Sequence, residues 1–219
     1  MIEKYIDYID DPNDTYEEYA KKAMNYQFRC IFARPETIIL AKKLTQNSDI
    51  IIAGAIDFPL GVLTLEEKLE QFRIYAEAGF HEIDYVLNQY HIEKENFDEI
   101  YKEMRAIHDF CLAYEIKEKA IVEMCKLDEK AKLKICQIAL EIQPAYLKTS
   151  TGKSFAGANL NDVKLMKKIL GDKVKIKAAG GIKTYDQAKA FIEAGADLIG
   201  ATAGIQIVEQ ERSLRKNYQ

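Results

Sequence analysis

The chain has 219 residues, a formal net charge of −4 and a hydrophobic fraction of 48%, which together favour a folded protein with a full core. Its isoelectric point near 5.6 and its scattered basic residues argue against nucleic acid or membrane partners. Four cysteines without a CxxC pair, only three histidines and an acidic start without an apolar signal core predict a reduced, cytoplasmic protein with no metal and no cofactor.

Short β-rich runs alternate with longer helical segments along the whole chain. The predicted strands are Lys4–Ile9, Phe28–Phe32, Ile50–Ile56, Glu82–Leu87, Lys119–Glu123, Ala145–Thr149, Lys175–Ala178 and Leu198–Gly200. The predicted helices are Tyr16–Tyr26, Glu36–Leu44, Leu65–Ala78, Glu95–Tyr114, Asp128–Glu141, Leu160–Leu170, Tyr185–Ala194 and a short one from about Ile205.

Eight βα units in a chain of this length predict an α/β fold, a (β/α)₈ TIM barrel that spans residues 1–219 as a single domain. An open, doubly wound sheet is the alternative. That fold would need a glycine-rich first turn, and the segment Ile9-Asp-Asp-Pro12 contains no glycine.

Two lysines, Lys148 and Lys177, fall near the C-terminal ends of consecutive predicted strands. Adjacent strands lie about 4.8 Å apart. At about 4 Å and an effective dielectric near 20, two ammonium charges repel by roughly 4 kcal/mol. That repulsion lowers the pKa of one lysine by about three units, from near 10.4 toward about 7. Because a neutral lysine amine forms Schiff bases with carbonyl compounds, the pair predicts a Schiff-base site.

Strand alternation places more charged side chains inside the predicted barrel. The inward set is Glu82, Asp84, Lys119, Glu123, Lys148, Lys175 and Lys177. For Lys175, the sequence suggests either a pair with Glu82 or an escape at the lower face of the barrel. A mixed-charge cluster suits acid–base chemistry at the C-terminal face of a barrel. The alternative is a buried salt-bridge network without chemistry, above all for Glu82 and Lys119.

Glycine-rich segments follow the last two predicted strands, where barrels often bind phosphate on backbone N–H groups. The predicted phosphate-binding residues are Thr151, Gly152, Lys153, Gly180, Gly181, Gly200, Ala201 and Thr202. Ordinary turn glycines without a ligand are the alternative. Further candidates for substrate contact are Asp7, Cys30 and Glu123. For Cys30, the alternative is a small residue of the core.

Four segments of the chain resemble the deoxyribose-phosphate aldolases. They are Asp57-Phe-Pro-Leu-Gly61, Glu82-Ile-Asp-Tyr-Val-Leu-Asn88, Leu147-Lys-Thr-Ser-Thr-Gly152 and Ile176-Lys-Ala-Ala-Gly-Gly-Ile182. The resemblance runs from about Ile6 to Glu209 and implies a metal-free class I aldolase on a (β/α)₈ barrel. Such enzymes reversibly cleave 2-deoxy-D-ribose 5-phosphate to D-glyceraldehyde 3-phosphate and acetaldehyde.

By this resemblance, Lys148 is the Schiff-base lysine and Lys177 is the second lysine that keeps it neutral. Asp84 then belongs to a proton relay through water. The partner is a small sugar phosphate, and the sequence leaves open a homo-oligomer, either a dimer or a tetramer. Some family members use a terminal tyrosine, but Tyr218 is assigned no role here.

Three segments depart from the family pattern. The chain has Asp7-Tyr-Ile9 where Asp-His-Thr is usual, Glu123-Met124 where Glu-Thr is usual, and Gly200-Ala-Thr-Ala203 where serines are usual. These changes leave two alternatives open. One is a Schiff-base aldolase for a different sugar or aldehyde, either phosphorylated or unphosphorylated, and the other is a barrel that only binds a sugar phosphate.

Overall fold

The computed structural model describes residues 1–216, so Tyr218 lies outside the described part of the chain. Eight parallel strands close into a barrel in sequential order, and the predicted (β/α)₈ fold is confirmed. The strands are β1 Ile6–Tyr8, β2 Cys30–Phe32, β3 Ile51–Ile56, β4 Glu82–Val86, β5 Lys117–Ile121, β6 Tyr146–Lys148, β7 Lys175–Ala179 and β8 Leu198–Ala201.

Helices surround the barrel and cover its outer face. They are α1 Tyr16–Tyr26, α2 Ile38–Leu44, α3 Leu65–Glu77, α4 Gln89–Glu93, α5 Phe97–Ala113, α6 Glu129–Ile142, α7 Leu160–Leu170, α8 Tyr185–Glu193 and α9 Gly204–Lys216. Short 3-10 turns lie at Ile2–Tyr5, Pro35–Thr37 and Met124–Lys126. Within residues 1–216, every helix falls short of the length and apolar character that crossing a membrane requires.

Capping residues fix where several helices begin after their βα loops. The Thr64 hydroxyl accepts a hydrogen bond from the Glu67 amide, and the Glu67 carboxylate accepts one from the Thr64 amide. Thr184 and Gln187 form the same reciprocal pair at the start of α8. Such boxes satisfy amides that a helix leaves unpaired at its N-terminus. They therefore hold the loops at the C-terminal face of the barrel in register with the strands.

The predicted boundaries were wrong at two strands that bear on the site. Strand β1 begins at Ile6, because Ile2–Tyr5 form a 3-10 turn whose Ile2 amide donates to Glu211 of α9. Strand β5 ends at Ile121, and Glu123 lies beyond it with φ of 66°. This left-handed conformation breaks the alternation that the sequence prediction extended to Glu123.

The observed strand register places charged residues of neighbouring strands side by side. Lys148 of β6 is the Cα partner of Lys177 of β7, as predicted. Asp84 of β4 is the partner of Lys119 of β5. Because alternate side chains of a strand share one face, these residues meet inside the barrel.

Lys175 does not join the interior cluster: of its two predicted alternatives, the pair with Glu82 was wrong and the escape at the lower face of the barrel is confirmed. It begins β7 and is exposed, with its ammonium 5.6 Å from the centroid of the Tyr146 ring. Glu82 instead forms ion pairs with Arg29 and Lys119. The first residue of a strand lies at the open lower end of the barrel, where solvent reaches a long side chain.

Candidate active site

A single carboxylate lies between the two predicted catalytic lysines. The Nζ atoms of Lys148 and Lys177 each lie 2.7 Å from the same Oδ2 atom of Asp84. All three side chains are buried, with 4%, 0% and 1% exposure respectively. The structure thus brings together the three residues that the sequence singled out, and it arranges them as an amine, an acid and a second amine.

Burial is the largest influence on Lys148, and its pKa is lowered from 10.5 to about 8. The Asp84 carboxylate opposes this change by stabilising the charged amine, while the positive charge of Lys177 adds to it. The prediction that Lys177 alone lowers the pKa of Lys148 was incomplete. An amine with a pKa near 8 is neutral often enough at pH 7 to act as a nucleophile.

Asp84 stays ionised despite its burial. Desolvation raises the pKa of this carboxyl, but the charges of Lys148, Lys177 and Lys119 together hold it well below its usual value. Its second oxygen, Oδ1, lies 3.2 Å from the Lys119 Nζ. Lys119 therefore holds the carboxylate so that Oδ2 faces the two other lysines.

A second layer of ion pairs lies beneath these residues. Lys177 lies 2.7 Å from Oδ2 of Asp7, and Lys119 lies 2.8 Å from Oε2 of Glu82. Arg29 closes the layer, because its two terminal nitrogens contact Asp7 at 2.5 Å and Glu82 at 2.6 Å. The predicted inward orientation of Glu82 and Lys119 is confirmed. Arg29, which precedes β2, was not predicted from the sequence to join this layer.

Asp7, Cys30 and Glu82 also offer ligand atoms within 4.8 Å of one another, a spacing that a metal ion could use. Both carboxylates already face the cations of Arg29, Lys119 and Lys177. The Cys30 thiol has a pKa well above its usual value, chiefly because it is buried. These three side chains are therefore poorly suited to bind a metal ion.

Glu123 supports the loop that follows Lys148. Its carboxylate accepts a 2.5 Å hydrogen bond from the Thr151 hydroxyl and a longer one from the Thr151 amide. Glu123 has a left-handed backbone conformation, and its carboxylate contacts the loop after β6 through Thr151. Glu123 thus holds Thr151 in place, and the hydroxyl of Thr151 is already engaged.

An open cavity of about 540 Å³ leads to Lys148 and Asp84. Its walls come largely from the first three βα units and include Ile9, Phe32 and Phe58. The Phe58 ring centroid lies 5.7 Å from Lys148 Nζ, and the Phe32 centroid lies 5.0 Å from Lys177 Nζ. A carbonyl compound in this cavity can therefore reach the Lys148 amine beside the Phe58 ring.

The predicted phosphate-binding residues, within the part of the chain that the structure describes, lie outside the lining of this cavity. Gly180 and Gly181 follow β7, and Thr202 follows β8, so they lie at the same end of the barrel as Lys148. Gly180 packs against Gly152, where a Cβ atom would come within 3.0 Å of its backbone. Cys30 is fully buried and does not reach the cavity, while Phe32, two residues later, does.

A buried lysine that the sequence argument missed holds the loop that carries Phe58. Lys68 of α3 is fully buried and donates to the Val86 carbonyl at 2.7 Å and to Glu103 at 2.5 Å. Its Nζ also lies 3.3 Å from Asp57, whose carboxylate accepts from the amides of residues 62 and 63. Lys68 thereby ties the loop after β3 to β4 and α5.

We expect Lys68→Met to lower the free energy of unfolding by about 3–5 kcal/mol, because it leaves Glu103 buried without its cation. Urea denaturation followed by circular dichroism measures the change. Lys43→Met is the matched control, since Lys43 is exposed on α2 and should change stability by less than about 0.5 kcal/mol. Equal stability of the two variants would contradict this role for Lys68.

No protein-family model matches the chain. A deoxyribose-phosphate aldolase of Thermococcus gammatolerans is 37% identical over 218 residues, which cover 97% of each chain. That of Caldanaerobacter subterraneus subsp. tengcongensis is 38% identical and matches 95% of this chain and 93% of its own. A solved structure of a tetrameric deoxyribose phosphate aldolase from Aeropyrum pernix superposes with a TM-score of 0.85 at 27% identity, covering 97% of this chain and 92% of that one.

Proposed function

The chain belongs to the deoxyribose-phosphate aldolase family, and on that premise we propose that it reversibly cleaves 2-deoxy-D-ribose 5-phosphate to D-glyceraldehyde 3-phosphate and acetaldehyde. The observation that carries this proposal is the pair of buried lysines on one carboxylate, with Lys148 open to a cavity. Incubation with the sugar phosphate and an enzymatic assay for D-glyceraldehyde 3-phosphate tests it. If no triose phosphate is released over the whole range from pH 6 to pH 9, the proposal is rejected.

In the proposed reaction, the neutral amine of Lys148 attacks the C1 aldehyde of the open-chain sugar, and loss of water gives an iminium ion. The C3 hydroxyl then loses its proton as the C2–C3 bond breaks. The bond electrons flow to the iminium nitrogen and leave an enamine, while D-glyceraldehyde 3-phosphate departs. Protonation of the enamine carbon and hydrolysis release acetaldehyde and restore the amine.

Asp84 is the proposed group that moves protons in these steps. Its Oδ2 atom lies 2.7 Å from the Lys148 amine, so a water molecule bound beside it would also lie near the reacting carbon atoms. The low pKa of Asp84 keeps it ionised, so it accepts a proton only transiently or orders water as the acceptor. Lys177 supplies a positive charge at the same oxygen and limits the basicity of Asp84.

We expect Lys153→Ala to raise KM for the phosphorylated sugar at least about tenfold more than for free 2-deoxyribose. Lys153 is exposed in the loop that follows β6, five residues after Lys148, and its ammonium can form a charge-assisted hydrogen bond with a phosphate. Steady-state kinetics on the two sugars measures the difference. Lys164→Ala, at an exposed lysine of α7, is the matched control and should change neither KM. Equal effects of Lys153→Ala on both sugars would count against a phosphate contact.

We also propose that residues 1–219 form a single domain and that the protein works in the cytoplasm as a homo-oligomer, a dimer or a tetramer. The tetrameric aldolase of Aeropyrum pernix supports the assembly. Large apolar side chains also point outward at Ile39 and Phe155, which are 81% and 78% exposed. Size-exclusion chromatography with light scattering should give a mass of about two or four times 25.1 kDa. A mass of one chain at micromolar concentration would contradict the assembly.

A further inference from the structure

The ion pairs inside the barrel balance in charge. Three cations, Arg29, Lys119 and Lys177, contact three carboxylates, which are Asp7, Glu82 and Asp84. All are buried except Arg29, whose side chain is 15% exposed at the edge of the cluster. The set is therefore neutral when the Lys148 amine is neutral, and it carries one excess positive charge when that amine is protonated.

The other titratable groups that face the cluster leave this balance unchanged. Burial raises the pKa of the Cys30 thiol and of the Tyr146 phenol, so both groups are neutral at pH 7. The Lys175 ammonium lies 5.6 Å from the centroid of the Tyr146 ring, and Lys175 is exposed at the start of β7, where solvent screens its charge. The balance among the buried groups thus depends on Arg29 as the outermost cation.

Arg29 contacts the cluster away from the reacting groups. Its guanidinium contacts Oδ1 of Asp7, whose other oxygen contacts Lys177, and it also contacts Oε1 of Glu82, whose other oxygen contacts Lys119. Each carboxylate of the lower layer is therefore shared between Arg29 and a lysine. Without Arg29, the negative charges of Asp7 and Glu82 would be balanced by the lysines alone, and the interior would carry one excess negative charge. That excess would stabilise the protonated form of Lys148.

We propose that Arg29 is a positioning residue that holds Lys148 in its neutral, nucleophilic state by balancing the buried carboxylates Asp7 and Glu82. This inference rests on the proposed Schiff-base role of Lys148. It adds a group that touches neither substrate nor Lys148 and that acts through charge across the barrel. The position of Arg29 and its ion pairs with Asp7 and Glu82 support this role. Burial of Lys148 lowers its pKa without any contribution from Arg29, so the two effects can be separated by experiment.

Two substitutions of opposite charge test the proposal. Arg29→Met removes a positive charge and should raise the pKa of Lys148 by about one unit, since at an effective dielectric near 20 a single charge acting across the barrel changes a pKa by that order. Glu82→Gln removes a negative charge and should lower it by a similar amount. The double variant should return close to the wild type, and Arg29→Lys should keep the wild-type value. A purely structural role would give shifts unrelated to the sign of the charge removed.

The amine titration is measured by trace labelling with acetic anhydride between pH 6 and 10, with the acetylated peptide of Lys148 quantified by mass spectrometry. The acidic limb of kcat/KM should move by the same amounts, with about a tenfold loss at pH 6.5 for Arg29→Met and recovery near pH 9. If Arg29→Met does not fold, the test is the pKa of Lys148 in Glu82→Gln: a lower value supports the charge balance, and an unchanged or higher value rejects it.

Shifts of the same sign in both variants, or none in either, would overturn the role of Arg29. A wild-type protein that titrates as expected but forms no borohydride-stable adduct with acetaldehyde would instead reject the proposed function and leave the charge balance standing. If the adduct forms but the pKa of Lys148 is unshifted in both variants, the proposed function stands and the role of Arg29 is rejected.

Discussion

Replacement of Lys148 by Met should abolish the cleavage of 2-deoxyribose 5-phosphate, with kcat/KM lower by at least about four orders of magnitude. A loss of that size corresponds to about 5.4 kcal/mol of transition-state stabilisation. The reason is that no imine can form without the amine, so the C2–C3 bond loses its electron acceptor. The fold should survive, because Asp84 keeps its contacts with Lys119 and Lys177.

The same lysine should carry the covalent adduct. Incubation of the wild type with acetaldehyde and sodium borohydride, followed by digestion and mass spectrometry, should place one ethyl group on Lys148. Lys153→Met is the matched control, since this exposed lysine lies five residues later and should leave the adduct in place. Labelling of Lys177 or Lys153 in place of Lys148 would contradict the assignment.

The sequence predicted the barrel and the pairing of Lys148 with Lys177 because both depend on local patterns. Alternating strands and helices, with capping boxes such as that of Thr64, determine the order of the elements. In a parallel barrel, consecutive strands are neighbours, so two lysines at similar depths on β6 and β7 must lie side by side.

Other parts of the site depend on side-chain geometry that periodicity does not reveal. The sequence did not indicate that Asp84 lies between both amines, or that Arg29 forms ion pairs with Asp7 of β1 and Glu82 of β4. Lys68 did leave a usable signal. It lies three and four residues from Leu65 and Phe72 and so falls on the buried stripe of α3, where a lysine requires a partner.

The expected behaviour of Lys177→Leu follows from the same geometry. Because both amines lie 2.7 Å from one oxygen, their nitrogens are no more than about 5.4 Å apart. At that distance and an effective dielectric near 20, the repulsion is roughly 3 kcal/mol. Its removal should raise the pKa of Lys148 by about two units, from about 8 to about 10. The neutral fraction at pH 7 then falls from about one in ten to about one in a thousand.

Activity of Lys177→Leu at pH 7 should therefore fall by about a hundredfold and recover as the pH rises toward 10, because the group whose pKa is raised loses its proton there. The pH profile of kcat/KM measures this shift, since it reports the free enzyme's titrating groups. Lys177→Arg keeps the charge but cannot reproduce the position of the amine, so it should keep the acidic limb near its wild-type pH with partial activity. If the acidic limb of Lys177→Leu did not move, burial alone would lower the pKa of Lys148, and Lys177 would act by direct proton transfer.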